Sequence, residues 1–258
     1  MNEQKFGPMP IPALAVGGGA AGFILRLLML KTGYDAEGIQ ISGSFPFVSL
    51  WILSALVLAG LAYLCLGMGR RCEYSKNFHP CLICGGCGLV AGVMLFVSQL
   101  IALLSVADSF DTIVAALGLA GGLSLCVRSA LRCRGKAWLA MDMTVAMSLA
   151  AILIARFRHW TSDPLLGDYC FQLLANVCSM LAAYYLGGFC LDKGKRRISI
   201  FFSMSAVFFS MISLADGGLG NLLFNGAMIL FLLSGCCSLR KPARPHRRPE
   251  DFPQEVSE

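Results

Sequence analysis

The chain has 258 residues, of which 57% are hydrophobic and only 14% are charged. A soluble domain carries about 25% charged residues, so this composition excludes an ordinary soluble protein and is typical of a membrane protein. The formal net charge of +6 does not indicate a nucleic-acid partner. The basic residues lie mostly in short segments between apolar runs, where such residues set the orientation of a membrane protein.

Eight apolar runs follow one another along the chain. About 20 residues of helix cross the hydrocarbon core of a bilayer, and the run from Pro46 to Met68, for example, contains no charged residue. We therefore predict an all-α polytopic bundle over residues 1–238. Its eight transmembrane helices are expected at 9–31, 46–68, 81–105, 112–130, 137–156, 169–190, 198–215 and 219–238. Residues 239–258 are rich in proline and charge, which predicts a disordered basic tail.

The charges between the runs predict the orientation. All but four of the 21 Lys and Arg residues lie on one side of the predicted membrane, the exceptions being Arg26, Lys31, Arg156 and Arg158. The opposite side carries the acidic residues Asp35, Glu37, Asp108, Asp111, Asp163, Asp168 and Asp216. Because cytoplasmic loops are enriched in Lys and Arg, we expect both termini in the cytoplasm. The first run is too long for a signal peptide, so it is expected to remain as a span.

Glycines at steps of four occur in three of the predicted spans. Such pairs allow helix backbones to approach closely in lipid, so we interpret them as packing sites. The pairs are Gly18 and Gly22, Gly88 and Gly92, and Gly118 and Gly122. The sequence GGGAAG at 17–22 matches a dinucleotide-binding pattern. It lies inside a span with no strand before it, which argues against nucleotide binding.

Strongly polar side chains within the spans fall mostly in the external half. An ionisable residue in a span costs about 2.5–3.5 kcal/mol on insertion scales, so these residues suggest a ligand site. The candidates are Arg26, Gln99, Arg156, Asp168, Gln172, Asn176, Asn221 and Asn225. If they converge, Arg26 and Arg156 would favour an anionic solute, with Asp168 as their partner or a gate.

The alternative interpretation of these polar residues is structural. Both arginines would then extend to the lipid headgroups, and the amides would join helices at about 0.6 kcal/mol each. In the cytoplasmic half we expect mainly Asp142, with Arg128 near its edge.

The segment HPCLICGGC, which begins at His79, suggests a metal or iron–sulfur site. Its candidate ligands are Cys72, Cys81, Cys84 and Cys87. On a continuous helix, however, steps of three spread the sulfurs over roughly 120°, and Pro80 is typical of a helix start. The structural interpretation is favoured, so we predict no metal and no other cofactor. A metal- or redox-linked role for these cysteines remains an alternative.

Nothing in the sequence indicates an enzyme. His159, Ser162 and Asp163 have the composition of a triad, but close neighbours on one turn rarely align as nucleophile, base and orienting group. The three histidines lie outside the predicted spans, which argues against haem. No catalytic residue is therefore predicted.

Three loop segments carry a resemblance to other proteins. WTSDPLLGDYCFQLLA, TGYDAEG and NFHP resemble segments of a group of uncharacterised multi-pass bacterial membrane proteins. The resemblance implies a bacterial cytoplasmic-membrane protein and carries over no functional residue.

The function hypothesis is an integral protein of the lipid bilayer that acts as a permease for a small polar or anionic solute, or as a solute-binding membrane subunit. The alternative is a non-catalytic sensor or assembly partner, which would act with another protein or with a second copy of the chain.

Overall fold

The computed structural model describes residues 10–33, 44–68, 78, 81–105, 108–136, 138–161 and 169–238. Within these residues eight helices are long and apolar enough to cross a membrane, which confirms the all-α polytopic bundle. They are α1 Pro10–Thr32, α2 Phe45–Leu66, α3 Leu82–Ser105, α4 Ser109–Cys133, α5 Leu139–Thr161, α6 Cys170–Gly187, α7 Arg196–Ser213 and α8 Leu219–Cys237. The predicted tail at 239–258 lies outside the described residues.

Local sequence explains several helix ends. A proline lies in the first turn of α2, where its missing N–H costs no helical hydrogen bond. One 3₁₀ turn, Gly188–Leu191, continues α6, and a second, Leu214–Asp216, follows α7. Gly217 and Gly218 then adopt φ values of 73° and 79°, which only glycine adopts readily. These two residues make the tight connection to α8.

Six of the helices pack in a closed ring. Each helix from α3 to α8 contacts the next one along the chain, and α8 returns to contact α3. The α1–α2 hairpin lies outside this ring, against α7. Accordingly, 67% of the span of α7 is buried, against 28% for α1 and 22% for α2. The ring has an interior that can hold polar groups away from lipid.

Close helix packing occurs where the glycine pairs predict it. A Cβ atom added to Gly122 would lie 2.8 Å from the backbone nitrogen of Phe96, and one added to Gly92 would lie 2.8 Å from that of Cys126. The backbones of α3 and α4 therefore approach so closely that neither glycine leaves room for a side chain. On the outer surface of the bundle, large apolar side chains such as Ile24, Leu56 and Leu104 are exposed, as contact with lipid requires.

The ends of the helices define two faces of the bundle. The acidic face carries Asp108, Asp111 and Asp216. The basic face carries Arg132, Arg134, Lys136, Lys193, Lys195, Arg196 and Arg197. The assignment of the basic face to the cytoplasm stays a prediction.

The interior near the basic face is more highly charged than the sequence predicts. Besides Arg128 and Asp142, Arg132 and Arg196 are buried there, with 9% and 2% exposure. The expectation of mainly Asp142, with Arg128 near the edge, missed these two arginines, because α4 and α7 extend beyond their predicted bounds. Two arginines assigned to loops consequently lie on helical turns that face inward.

Candidate functional site

A cavity of about 330 Å³ lies in the half of the ring nearest the acidic face, between α3, α4, α5 and α8. Three of the predicted ligand residues line it: Gln99, Arg156 and Asn221. Ser98, Asp111 and His159 line it as well. The structure thus brings polar groups from four helices to one cavity.

Arg156 supplies the cationic group of this cavity. It lies inside α5, which continues past the predicted end of the span at 156. Its Nη1 donates to Asn176 Oδ1 at 3.4 Å, and its guanidinium lies 4.3 Å from the ring centroid of Phe224. In the described part of the chain, no carboxylate lies within 4 Å of Arg156. Among the described residues, therefore, one aromatic face and one long hydrogen bond stabilise its charge.

A network of amides is centred on Asn221, which also lines the cavity. Asn221 Oδ1 accepts hydrogen bonds from Gln172 Nε2 and, at 2.9 Å, from Asn225 Nδ2. Asn221 Nδ2 in turn donates to the carbonyl oxygen of Ser213 at 3.1 Å. This network joins α6, α7 and α8. Asn176 Nδ2 and Asn225 Oδ1 are buried without a hydrogen-bond partner among the described residues, which leaves one donor and one acceptor unsatisfied.

A histidine and a carboxylate pair at the mouth of the cavity. His159 Nε2 lies 2.8 Å from Asp111 Oδ2, which links α5 to α4. The imidazole is 63% exposed, whereas the Asp111 side chain is only 14% exposed. Asp111 Oδ1 is buried and accepts no hydrogen bond from a described residue. The triad that the sequence suggested is not defined here, because Ser162 and Asp163 lie outside the described residues.

The structure separates Arg26 from this cavity. Arg26 is only 2% exposed, and its Nε donates to Asp216 Oδ1 at 2.8 Å. The pair ties α1 to the 3₁₀ turn after α7, outside the cavity lining. Arg26 therefore does not extend to the lipid surface. Asp168, its predicted partner, lies outside the described residues.

Sequence reasoning did not place Asp111, His159, Ser98 or Phe224 at the site. The acidic charge of Asp111 and Asp216 on the same side as Arg26 and Arg156 was visible in the sequence. Which acid meets which arginine depends on helix rotation and packing, which the sequence alone did not reveal.

A second charged level, defined here as the buried side chains of Arg128 and Asp142, lies inside the ring of helices nearer the basic face. Arg128 of α4 and Asp142 of α5 form a buried ion pair. The Arg128 guanidinium lies 4.9 Å from the ring centroid of Phe231, and the Cys190 thiol donates to Asp142 Oδ2 at 3.5 Å.

The two charged levels are aligned along α8. Phe224 and Phe231 are seven residues apart on this helix, so they share one face and are separated by about 10.5 Å along its axis. The Arg156 guanidinium lies over the side chain of Phe224, and the Arg128 guanidinium lies over that of Phe231. The interior of the ring therefore presents two arginines, one above the other, along one face of a single helix.

Cys81 immediately precedes α3, and Cys84 and Cys87 lie in the first turns of that helix. The backbone N–H of Gly85 donates to the Cys81 carbonyl at 3.0 Å, so the helical hydrogen bonding is continuous there. Hydrogen bonds from the backbone and thiol of Cys84 lower the pKa of Cys81. Within the described ranges, no three His, Cys, Asp or Glu residues are grouped so as to hold a metal ion. Cys72 and His79 lie outside those ranges.

No protein-family model, curated protein or solved structure matches this chain. The architecture of the described residues, with eight helices long and apolar enough to cross a membrane, is that of an integral membrane protein.

Proposed function

We propose that the protein is a permease for a small carboxylate-bearing solute, which it binds in the cavity near the acidic face. The observation that carries the proposal is Arg156, a cation on the cavity wall with no described carboxylate within salt-bridge distance. A charge within a membrane span is costly and marks functional sites more often than not. A carboxylate would neutralise the guanidinium through two parallel hydrogen bonds.

The size and lining of the cavity support a small solute. Its volume of about 330 Å³ lies at the lower end of the range of about 300–1,000 Å³ found for ligand pockets. The Gln99 amide offers a donor and an acceptor to the cavity, and the Ser98 hydroxyl, which donates to the Gly220 carbonyl oxygen, can accept a hydrogen bond. Such groups orient a polar ligand, whereas Val114 and Ile152 provide apolar contact.

Asp111 refines the class of solute. Its buried Oδ1 accepts no hydrogen bond from a described residue, and Asp111 lines the same cavity as Arg156. A solute with a carboxylate and an ammonium group would satisfy both charges. A small amino acid has this chemistry, and we expect such zwitterions to bind more tightly than simple carboxylates.

The second charged level supports transport rather than binding alone. Arg128 lies over Phe231, which is about 10.5 Å further along the axis of α8 than Phe224, and Asp142 neutralises its charge. A solute that leaves Arg156 toward the basic face would next meet Arg128 inside the same ring. We place the acidic face outside the cell, following the distribution of Lys and Arg.

Ligand-dependent stability of the purified protein tests the binding step. We expect millimolar amino acids to raise the free energy of unfolding, by about 2.7 kcal/mol at a hundredfold excess over Kd. Arg156→Gln should abolish this stabilisation. Arg158→Gln is the matched control, because Arg158 lies two residues away on the same helix with its side chain 56% exposed. Equal loss in both variants, or no stabilisation of the wild type by any carboxylate, would contradict the proposal.

Uptake into proteoliposomes tests the transport step separately. The wild type should accumulate the stabilising solute, and Arg156→Gln should not. Binding without uptake would leave a solute-binding membrane subunit, the other half of the original hypothesis.

A further inference from the structure

A second pocket opens on the outer surface of the bundle, away from the ring interior. It is a groove of about 380 Å³ between the ends of α2, α6 and α7 at the basic face. Its lining is mainly apolar and aromatic, and includes Ala62, Leu66, Tyr185, Phe201 and Phe202. Leu66 is 67% exposed, so the groove is open toward the surrounding bilayer.

One cation lies in this otherwise apolar lining. Arg197 Nε donates to the Met68 carbonyl oxygen at 2.5 Å, which anchors the guanidinium at the edge of the groove. In the described ranges, no residue accepts a hydrogen bond from its two Nη atoms and no carboxylate lies within 4 Å of it. Arg197 therefore retains the forked pair of donors that binds phosphate in a bidentate manner.

The backbone adds positive potential at the same point. Arg197 lies in the first turn of α7, and the residue before that helix, Lys195, makes no side-chain capping hydrogen bond. The first turn is the positive end of the helix dipole. A phosphate on Arg197 would lie near this end.

Three aromatic side chains of the groove, Tyr185, Phe201 and Phe202, pack against one another and offer an apolar surface to an acyl chain. The rings of Tyr185 and Phe202 stack with centroids 5.7 Å apart and planes inclined by 5°. Phe201 packs edge-on against Phe202 with a centroid distance of 5.4 Å. These contacts hold an apolar surface that runs from Arg197 into the membrane.

We propose that this groove binds an anionic phospholipid from the leaflet at the basic face. The phosphate would bind the Arg197 guanidinium, and one acyl chain would lie along Tyr185 and Phe202. The combination of one cation at the membrane surface with an apolar groove below it matches a ligand that has an anionic head and a hydrocarbon tail. A free phosphate would leave the groove unfilled.

Lipid binding to the purified full-length chain tests this proposal. Phosphatidylglycerol and phosphatidylcholine with identical acyl chains would be compared by native mass spectrometry and by their effect on thermal stability. We expect phosphatidylglycerol to bind about tenfold more tightly. Arg197→Gln should remove this preference. Lys195→Gln should retain it, since Lys195 is exposed and lies two residues earlier.

A charge-neutral variant tests the acyl-chain half of the site. Ala62→Leu narrows the groove and leaves Arg197 in place, so it should weaken binding of phosphatidylglycerol. If Arg197→Gln fails to fold after loss of the hydrogen bond to Met68, the Ala62→Leu variant still tests the proposal.

Four results would overturn the proposal. They are equal binding of both lipids to the wild type, equal loss in the Arg197 and Lys195 variants, undiminished binding by Ala62→Leu, and stabilisation by inorganic phosphate equal to that by the lipid.

Discussion

The buried ion pair between Arg128 and Asp142 allows a quantitative prediction. The two side chains are only 6% and 4% exposed, so water cannot replace either partner. Asp142→Asn would leave the Arg128 charge against the Phe231 ring, while the Cys190 thiol would face an amide in place of the carboxylate. Removal of one member of a buried pair costs about 3–5 kcal/mol. We expect about 3 kcal/mol, because asparagine retains the shape and an acceptor oxygen.

An exposed pair in the same protein provides the control. Arg158 Nη2 lies 3.2 Å from Asp108 Oδ2, but these side chains are 56% and 52% exposed. Asp108 makes no side-chain capping bond to α4, so Asp108→Asn does not remove a cap as well. Exposed pairs contribute at most about 1 kcal/mol, and we expect the loss to stay below that value.

The assay is equilibrium unfolding in mixed detergent micelles, applied to the single variants and to the double variant of each pair. The double variant Arg128→Met with Asp142→Leu should be more stable than Asp142→Asn, since apolar replacement of a whole buried pair is often neutral or stabilising. Equal coupling energies in the two pairs would refute the reasoning. If Arg128 also serves transport, the stable double variant should still fail to accumulate solute in proteoliposomes.

Three further predictions concern packing, a structural ion pair and thiol reactivity. Gly122→Ala should lower the free energy of unfolding by about 1–3 kcal/mol in the same assay, because its Cβ would overlap the backbone of α3. Gly86→Ala is the control and should not lower it, since a Cβ there meets nothing within 4 Å. Equal losses of stability in the two variants would contradict this prediction. Arg26→Gln should lower stability but preserve solute-dependent stabilisation, since Arg26 pairs with a carboxylate outside the cavity; loss of that stabilisation would place Arg26 in the binding site. In the wild-type chain, which keeps Cys84, Cys81 should be alkylated at pH 7.5 at least about tenfold faster than the buried Cys178, because hydrogen bonds from Cys84 lower the pKa of Cys81 and only the thiolate reacts. Mass spectrometry over time measures both rates, and the Cys81 rate should fall as the pH is lowered.

The membrane-spanning architecture was predictable from the sequence because it depends on local properties. A run of about 20 apolar residues must form a helix in lipid, where every backbone polar group needs a partner within the segment. The eight helices therefore appear where the runs are, with bounds shifted by a few residues. Even these small shifts had consequences, since they moved Arg132 and Arg196 from predicted loops into the interior.

The composition of the candidate site was predictable only in part. The sequence pointed to polar residues in one half of the spans, and the structure brings Gln99, Arg156 and Asn221 of that group to one cavity. The sequence did not distinguish Arg156 from Arg26, since both are arginines in the same half of their spans. Their difference arises from which side chains the neighbouring helices present.

The sequence by itself determined that the described part of the chain forms eight helices long and apolar enough to cross a membrane, and in which half of these helices the amides and two arginines lie. Tertiary structure alone decided that α3 to α8 close into a ring, that Asp216 neutralises Arg26, and that Arg156 lines a cavity without a described carboxylate partner. The physical reason is that hydropathy acts along a helix, whereas ion pairing depends on rotations and distances between helices far apart in the chain.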